Sequence, residues 1–191
     1  DERYVSILTW TPTKTLKLFC IDPSSRLQDG FKRSNSTVCF SATMSPKRYF
    51  AELLGLSEQA SWQQVASPFP ADHFRVLIAS YIPVTFKARQ HALEPLVSLI
   101  HQVISTHRGN YLVYFPSLRF LGQVAEAYIE RFPAENILIQ DQQMDDASSQ
   151  EFLARFSDTE QVTGFAVIGG RFAEGIDLVG NRLIGAIIIG T

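Results

Sequence analysis

The chain has 191 residues, of which 46% are hydrophobic and 19% charged, and its formal net charge is −2. This composition is that of a globular protein with enough chain for one sizeable core. Freestanding nucleic-acid-binding domains are usually basic, so the net charge weighs against that class but leaves room for a local basic surface. No apolar run approaches the roughly 20 residues of a membrane span. The first residues do not form a signal peptide, so we expect a cytoplasmic protein without a membrane partner.

The first 55 residues contain two predicted strands and one short predicted helix. The strands are predicted at residues 15–21 and 36–40 and the helix at 46–54. Ser45 is the predicted N-cap of this helix, and Gly55 follows its end. Residues 56–72 are rich in serine and proline, so they are the predicted linker to a second part, residues 73–191.

Apolar strands alternate with helices in the second part. Strands are predicted at residues 74–79, 111–115, 137–139, 165–168 and 184–189, and helices at 88–106 and 118–132. A capping box of Ser148 and Glu151 predicts the start of a third helix. Pro95 either opens or kinks the first helix. Apolar strands separated by helices predict an α/β fold, a parallel sheet with helices on both faces.

Polar segments follow three of the predicted strands, and open parallel sheets bind ligands at the carboxyl ends of their strands. The first segment is Ser41-Ala42-Thr43, and the second ends at Ser117. Each has a simpler interpretation. In the first segment, the polar residues can be explained by the cap that Ser45 forms. In the second, Ser117 can simply cap the helix that follows it.

The third polar segment is Gly169-Gly170-Arg171-Phe172-Ala173-Glu174-Gly175-Ile176-Asp177-Leu178. Arg171 is a fixed cation suited to phosphate, and Asp177 is an acceptor for a sugar hydroxyl. The alternative is a polar loop in which Arg171 pairs in solvent with Glu174 or Asp177. Glycines alone are common in turns, but this full string of residues is harder to explain as a simple turn.

In order and spacing, the three segments resemble the XPD/DinG group of superfamily 2 DNA helicases. Ser41-Ala42-Thr43 is similar to motif III, Val113-Tyr114-Phe115-Pro116-Ser117 to motif IV and residues 169–178 to motif V. Motif V is the specific one, since Ser-Ala-Thr is common by chance. Residues 67–69 and 85–89 also resemble the linking stretch of this group, so the resemblance covers most of the chain.

The resemblance implies part of an ATP-dependent DNA helicase, with a role in DNA repair. Residues 1–55 would end a first RecA-like motor domain, and residues 73–191 would form a second one that stops before motif VI. The implied roles are coupling of hydrolysis to DNA for Ser41, Thr43 and Glu174, contact with single-stranded DNA for Ser117 and Arg171, and ATP binding for Gly175 and Asp177. The implied partner within the same protein is the rest of the first motor domain.

The sequence departs from a complete motor, because it has no G-x-x-x-x-G-K-[ST] phosphate loop and no Asp-Glu-Ala-His string. The resemblance therefore implies that Mg²⁺ is held by parts outside this chain. An iron–sulfur cluster would also lie elsewhere, because the chain has only two cysteines, Cys20 and Cys39, in apolar runs typical of free thiols. The histidines lack metal-ligand spacing, and we expect no metal site. We expect the isolated chain to lack ATPase activity.

Two other functions remain open. One is a RecA-like domain of a nucleic-acid translocase or nuclease-associated motor that does not separate strands. The other is a non-enzymatic interaction module with an α/β fold. A small-molecule Rossmann enzyme is disfavoured because no G-x-G-x-x-G follows the first strand.

Overall fold

The computed structural model describes residues 3–10, 14–85 and 88–190. The chain forms two compact units, which we name the first unit (residues 1–74) and the second unit (residues 75–191). Two residues of the segment that resembles a helicase linking stretch, Phe86 and Lys87, lie outside the described residues. The predicted division into residues 1–55, 56–72 and 73–191 stays a prediction.

The first unit contains a β-hairpin and two short helices. Strands β1 (Tyr4–Trp10) and β2 (Lys14–Cys20) pair antiparallel, with Tyr4 opposite Cys20. Helix α1 spans Ser24–Phe31 and contacts helix α2, which spans Lys47–Leu54. The strand predicted at 15–21 is therefore confirmed to within one residue.

Two of the predicted strands are wrong. Residues 36–40 and 74–79 form no strand, and their large apolar side chains face solvent, with Phe40 90% and Leu77 90% exposed. Both segments have strand-like composition, but a strand also needs a neighbour for its backbone hydrogen bonds. Within the described part of the chain, neither segment has such a neighbour.

Two helix starts also differ from the sequence predictions. Helix α2 begins at Lys47, with Pro46 in the N-cap position and no side chain capping it, so Ser45 is not the cap. Gly55 does end this helix, with a left-handed φ of 63°. The third helix of the second unit begins before Ser148, because the Asp145 carboxylate accepts from the Ser148 N–H at 2.8 Å. Aspartate is a strong N-cap residue, so the predicted capping box at Ser148 is wrong.

The second unit is built on a four-stranded parallel sheet in the order β4-β5-β3-β6. The strands are β3 (Tyr111–Phe115), β4 (Ile137–Ile139), β5 (Thr163–Val167) and β6 (Gly185–Ile188). The helices are α3 (Arg89–Thr106), α4 (Leu118–Arg131) and α5 (Asp146–Ala154). Pro95 lies inside α3 and does not open it. The predicted parallel α/β fold is confirmed.

Helices cover both faces of this sheet, because successive strand residues point to opposite sides. Val113 and Phe115 belong to a buried cluster with residues of α3 and α4. Leu112, between them in β3, belongs to a second cluster with Phe152 and Phe156. The two clusters therefore lie on opposite faces of the sheet. No helix within the described ranges has both the length and the apolar character that crossing a membrane requires.

Candidate functional site

The candidate site lies at the edge where the parallel strands end, which we name the carboxyl edge. The register pairs Phe115 with Val167, and Ile139 with Phe165, so β3, β4 and β5 end close together along the sheet. The chain that follows each strand therefore leaves from the same edge. Ligands of open parallel sheets bind at this edge.

Residues 169–178 follow β5 and form what we name the arginine loop. The loop starts with a tight turn in which the Gly170 N–H donates to the Val167 carbonyl at 3.0 Å. Gly169 has a φ of 70°, which favours glycine because a Cβ is strained there. The Ala173 N–H donates back to the Gly170 carbonyl at 3.1 Å. These contacts hold the backbone close to the end of β5.

Phe172 anchors the middle of the arginine loop. Its side chain is 1% exposed and stacks on Phe152, with ring centroids 4.3 Å apart. Its carbonyl accepts from the Tyr114 hydroxyl of β3 at 2.6 Å. Burial raises the pKa of Tyr114, so this hydroxyl keeps its proton at neutral pH. The anchor leaves the neighbouring polar residues of the loop facing solvent.

Arg171 pairs with an acidic residue of α5. Its Nη1 donates to the Asp146 carboxylate at 2.6 Å, and the two side chains are 49% and 92% exposed respectively. The sequence alternative, pairing with Glu174 or Asp177 of the same loop, is not what the structure shows. Hydrogen bonds from the hydroxyl and N–H of Ser148 hold the pKa of the neighbouring Asp145 below its ordinary value, and the nearby charge of Arg171 lowers it slightly further.

Glu174, Gly175 and Asp177 are exposed, while Ile176 and Leu178 pack against the core on the α5 side. Gly175 has a φ of 73° and open space where a Cβ would stand. In the part of the chain that the structure describes, no hydrogen bond or ion pair involves the side chain of Glu174 or Asp177. The Asp177 carboxylate is thus available to accept hydrogen bonds from a ligand.

Ser117 follows β3 and caps α4. Its hydroxyl oxygen accepts from the Phe120 N–H at 3.3 Å, as the sequence predicts, and its side chain is half-buried. The hydroxyl proton is not used in this bond, so Ser117 can still donate to an anion. The first N–H groups of α4, which lie next to Ser117, also favour negative charge.

Ser41 and Thr43 belong to the first unit and form a local turn. The Thr43 N–H donates to the Ser41 hydroxyl at 3.2 Å, and the two hydroxyl oxygens are 3.4 Å apart. The Thr43 carbonyl accepts from the Ser45 N–H at 2.8 Å. Both side chains are exposed. The structure thus places Ser117 and Arg171 in the segments directly after β3 and β5, which end at one edge of the second unit. Asp177 lies near the end of the arginine loop, where the chain runs on to Asn181, whose carbonyl accepts from Asn110, directly before β3. Ser41 and Thr43 lie in the first unit.

Sequence reasoning missed three residues that shape the carboxyl edge. Asp146 engages Arg171, and Tyr114 tethers the arginine loop. Gln140, directly after β4, accepts from the Val167 N–H at 2.9 Å and so supports the end of β5. The sequence pattern that could have identified Gln140 is a polar residue directly after a short apolar strand. In the described ranges, no group of three or more histidine, cysteine or acidic residues could hold a metal ion.

Comparison with known proteins shows similarity to helicases. Residues 100–191 match the family model described as the helicase C-terminal domain. A probable ATP-dependent helicase from Methanocaldococcus jannaschii is 29% identical over 171 residues, which cover 86% of this chain. Both matches support a helicase family. The chain spans 25% of the length of this archaeal relative.

The match to the helicase C-terminal domain includes the whole carboxyl edge of the second unit. Residues 100–191 contain β3, β4, β5 and β6 together with Ser117 and the arginine loop. Ser41 and Thr43 lie outside the residues matched by the helicase family model. The parallel sheet with flanking helices is consistent with a RecA-like helicase C-terminal domain.

Proposed function

We propose that this chain is part of an ATP-dependent DNA helicase of the XPD/DinG kind in superfamily 2. In this proposal the carboxyl edge carries part of the track for single-stranded DNA and part of the ATP site. The observation that carries it is the arginine loop, which presents a cation and a carboxylate to solvent on either side of the buried Phe172. The helicase matches over the same residues support it.

The proposed DNA contacts are Arg171 and Ser117. A guanidinium binds phosphate oxygens through two parallel N–H donors and keeps its charge at any physiological pH. Ser117 adds a hydroxyl donor at the N-terminus of α4, where a phosphate is favoured by the helix dipole. Both groups act on the sugar–phosphate backbone, so we expect them to bind strands of any sequence.

The proposed ATP contacts are Gly175 and Asp177. The exposed carboxylate of Asp177 would accept hydrogen bonds from ribose hydroxyls and so orient the nucleoside. Gly175 allows the backbone to turn beside it with a φ of 73°. Mg²⁺, held by residues outside this chain, would neutralise charge on the phosphates. The residues of this chain then bind and position the nucleotide.

The remaining assignments belong to the same proposal. Ser41, Thr43 and Glu174 would couple hydrolysis to movement along DNA. Residues 1–55 would end the first motor domain, residues 56–72 would link the two domains, and residues 73–191 would belong to the second. The rest of the first motor domain is the proposed partner within the intact protein, and any iron–sulfur cluster would lie outside this chain. We propose a cytoplasmic protein that acts in DNA repair.

Two substitutions in the intact protein separate the proposed DNA and ATP roles. Arg171→Ala should weaken binding to single-stranded DNA and lower the log–log salt slope by roughly 0.7 for the lost phosphate contact. Asp177→Asn keeps the shape but removes the charge. Loss of a charge-assisted ribose hydrogen bond should cost about 1.5 to 3 kcal/mol, or about ten- to a hundredfold in ATP affinity or turnover.

The matched controls are Arg108→Ala and Asp158→Asn. Both residues are exposed, and they precede β3 and β5, at the opposite edge of the sheet. DNA-binding titrations at several salt concentrations and steady-state ATPase assays measure the two effects. If Arg171→Ala and Asp177→Asn behave like their controls, the carboxyl edge binds neither ligand. A non-enzymatic interaction module then becomes the better interpretation.

A further inference from the structure

We propose that Asp146 competes with DNA phosphate for Arg171, so that this carboxylate sets how tightly the carboxyl edge holds a strand. The inference rests on the proposed function, since it assumes that Arg171 contacts DNA. It adds a regulating residue that neither the motifs nor the matches assign. Asp146 is the first residue of α5, 25 positions before Arg171 in the chain.

The geometry makes Asp146 a direct competitor. Its Oδ1 lies 2.6 Å from the Arg171 Nη1, which occupies a donor that a phosphate oxygen would need. The carboxylate is 92% exposed and the guanidinium 49% exposed, so an incoming strand can reach the pair. Ion pairs in such positions are weak, because water competes for both groups. A phosphate can therefore displace the carboxylate without a large cost.

Displaced Asp146 would not lose all of its favourable interactions. It lies in the first turn of α5, where the helix dipole stabilises negative charge. This second interaction is independent of Arg171, so it remains when a strand takes the place of the carboxylate. The pair can thus reform when the strand leaves, as reversible movement along DNA requires.

Two other acidic residues of the same segment are engaged by local hydrogen bonds. The Asp145 carboxylate accepts from the N–H and the hydroxyl of Ser148 at 2.8 and 2.7 Å. The Asp141 carboxylate accepts from the Gln143 N–H at 2.7 Å. Asp146 is therefore the carboxylate of this segment that is positioned to release Arg171. Asp146 is the residue of this segment that pairs directly with Arg171, while Asp145 acts on it only through its nearby charge.

The test is Asp146→Asn in the intact protein, with Glu151→Gln as the matched control. Glu151 is an exposed carboxylate on the same helix, and the substitution makes the same change of charge. We expect Asp146→Asn to tighten binding of a single-stranded oligonucleotide by about two- to fivefold at low salt. The gain should shrink at high salt, because exposed charges are screened. Fluorescence anisotropy measures both affinities, and Asp146→Ser serves as a second variant should the asparagine variant fold poorly.

A double-mutant cycle with Arg171→Ala decides whether Asp146 acts through Arg171. We expect Asp146→Asn to have no effect beyond its control once Arg171 is alanine. If Asp146→Asn tightens DNA binding equally in the Arg171→Ala background, the Asp146 carboxylate repels phosphate without acting through Arg171. That result would overturn the proposed competition. Weaker binding by Asp146→Asn would mean that the carboxylate orients Arg171 for DNA, which also overturns it.

The cycle also separates this inference from the proposed function. If Arg171→Ala weakens DNA binding but Asp146→Asn matches Glu151→Gln, the competition fails and the DNA role of Arg171 stands. If Arg171→Ala leaves DNA binding unchanged, the DNA role fails and the competition fails with it.

Discussion

Tyr114 links the sheet to the arginine loop through one hydroxyl. Replacing it with phenylalanine removes the 2.6 Å hydrogen bond to the Phe172 carbonyl and leaves the ring in place. A hydrogen bond of this kind stabilises by about 0.5 to 1.5 kcal/mol. We therefore expect Tyr114→Phe to speed amide hydrogen exchange in residues 169–178 by about two- to tenfold.

The matched control for this substitution is Tyr111→Phe. The Tyr111 hydroxyl donates to the His107 carbonyl, also at 2.6 Å, but at the other end of the same strand. Hydrogen-exchange mass spectrometry resolves the loop from the rest of the unit. Equal acceleration of the loop by both variants would show that the tether from Tyr114 is not what orders it.

Asp145 predicts a dependence of stability on pH. Hydrogen bonds from the Ser148 hydroxyl and N–H hold the pKa of this carboxyl below its ordinary value of 3.8, and Arg171 adds a smaller effect. A carboxyl with a lowered pKa in the folded state stabilises the fold above its unfolded pKa. That stability is lost as the pH falls through the folded pKa.

We expect Asp145→Asn to lower the free energy of unfolding at neutral pH, and the difference from the original protein to shrink as the pH falls below about 4 and through the lower folded pKa. Urea unfolding measured between neutral and acidic pH follows this difference. Asp158→Asn is the control, since the structure gives Asp158 no hydrogen bond among the described residues. A difference that stays constant with pH would exclude the carboxylate charge as its source.

At the scale of elements, two glycines in open space should respond oppositely to alanine. Gly122 lies inside α4, where an added Cβ meets nothing within 4 Å. Gly122→Ala should stabilise the unit by about 0.5 to 1 kcal/mol, because glycine loses more backbone freedom in a helix. Gly175 also has open space, but its φ is 73°, so Gly175→Ala should destabilise by about 1 to 2 kcal/mol. Chemical denaturation measures both, and equal signs would contradict the assigned backbone conformations.

The elements that the sequence predicted best are those with a one-sided or continuous apolar pattern. β3 was predicted residue for residue, because five consecutive apolar or aromatic residues lie between Asn110 and Pro116. α3 was predicted to within one residue for the same kind of reason. No prediction covered β1, whose residues are almost all exposed, so no buried face marks it. The false strands at 36–40 and 74–79 show that composition does not supply a pairing partner.

The candidate site was predictable in position but not in its contacts. Ser117, Arg171 and Asp177 could be placed after apolar strands, because parallel strands end at one edge. The pairing of Arg171 with Asp146 could not, since it depends on the sheet order that brings the end of β4 next to β5. Arg171 pairs with Asp146 rather than with a residue of its own loop because of the tertiary fold.

At the scale of the whole molecule, we expect this chain alone not to turn over ATP, with or without single-stranded DNA. Its sequence has neither a phosphate loop nor an Asp-Glu-Ala-His string, and these supply the phosphate cradle and the magnesium contacts of phosphoryl transfer. Phosphate release from the purified chain, with the intact protein as positive control, measures this. Turnover that Asp177→Ala abolishes would contradict the prediction.

Residues 76–78, which precede α3, form an exposed apolar segment that bears on the solubility of the isolated chain. Val76, Leu77 and Ile78 are 66%, 90% and 85% exposed, and Arg75 is the nearest charge. Short apolar runs of this kind stack between molecules into cross-β fibrils when little charge interrupts them. We therefore expect the purified chain to aggregate more readily as its concentration rises.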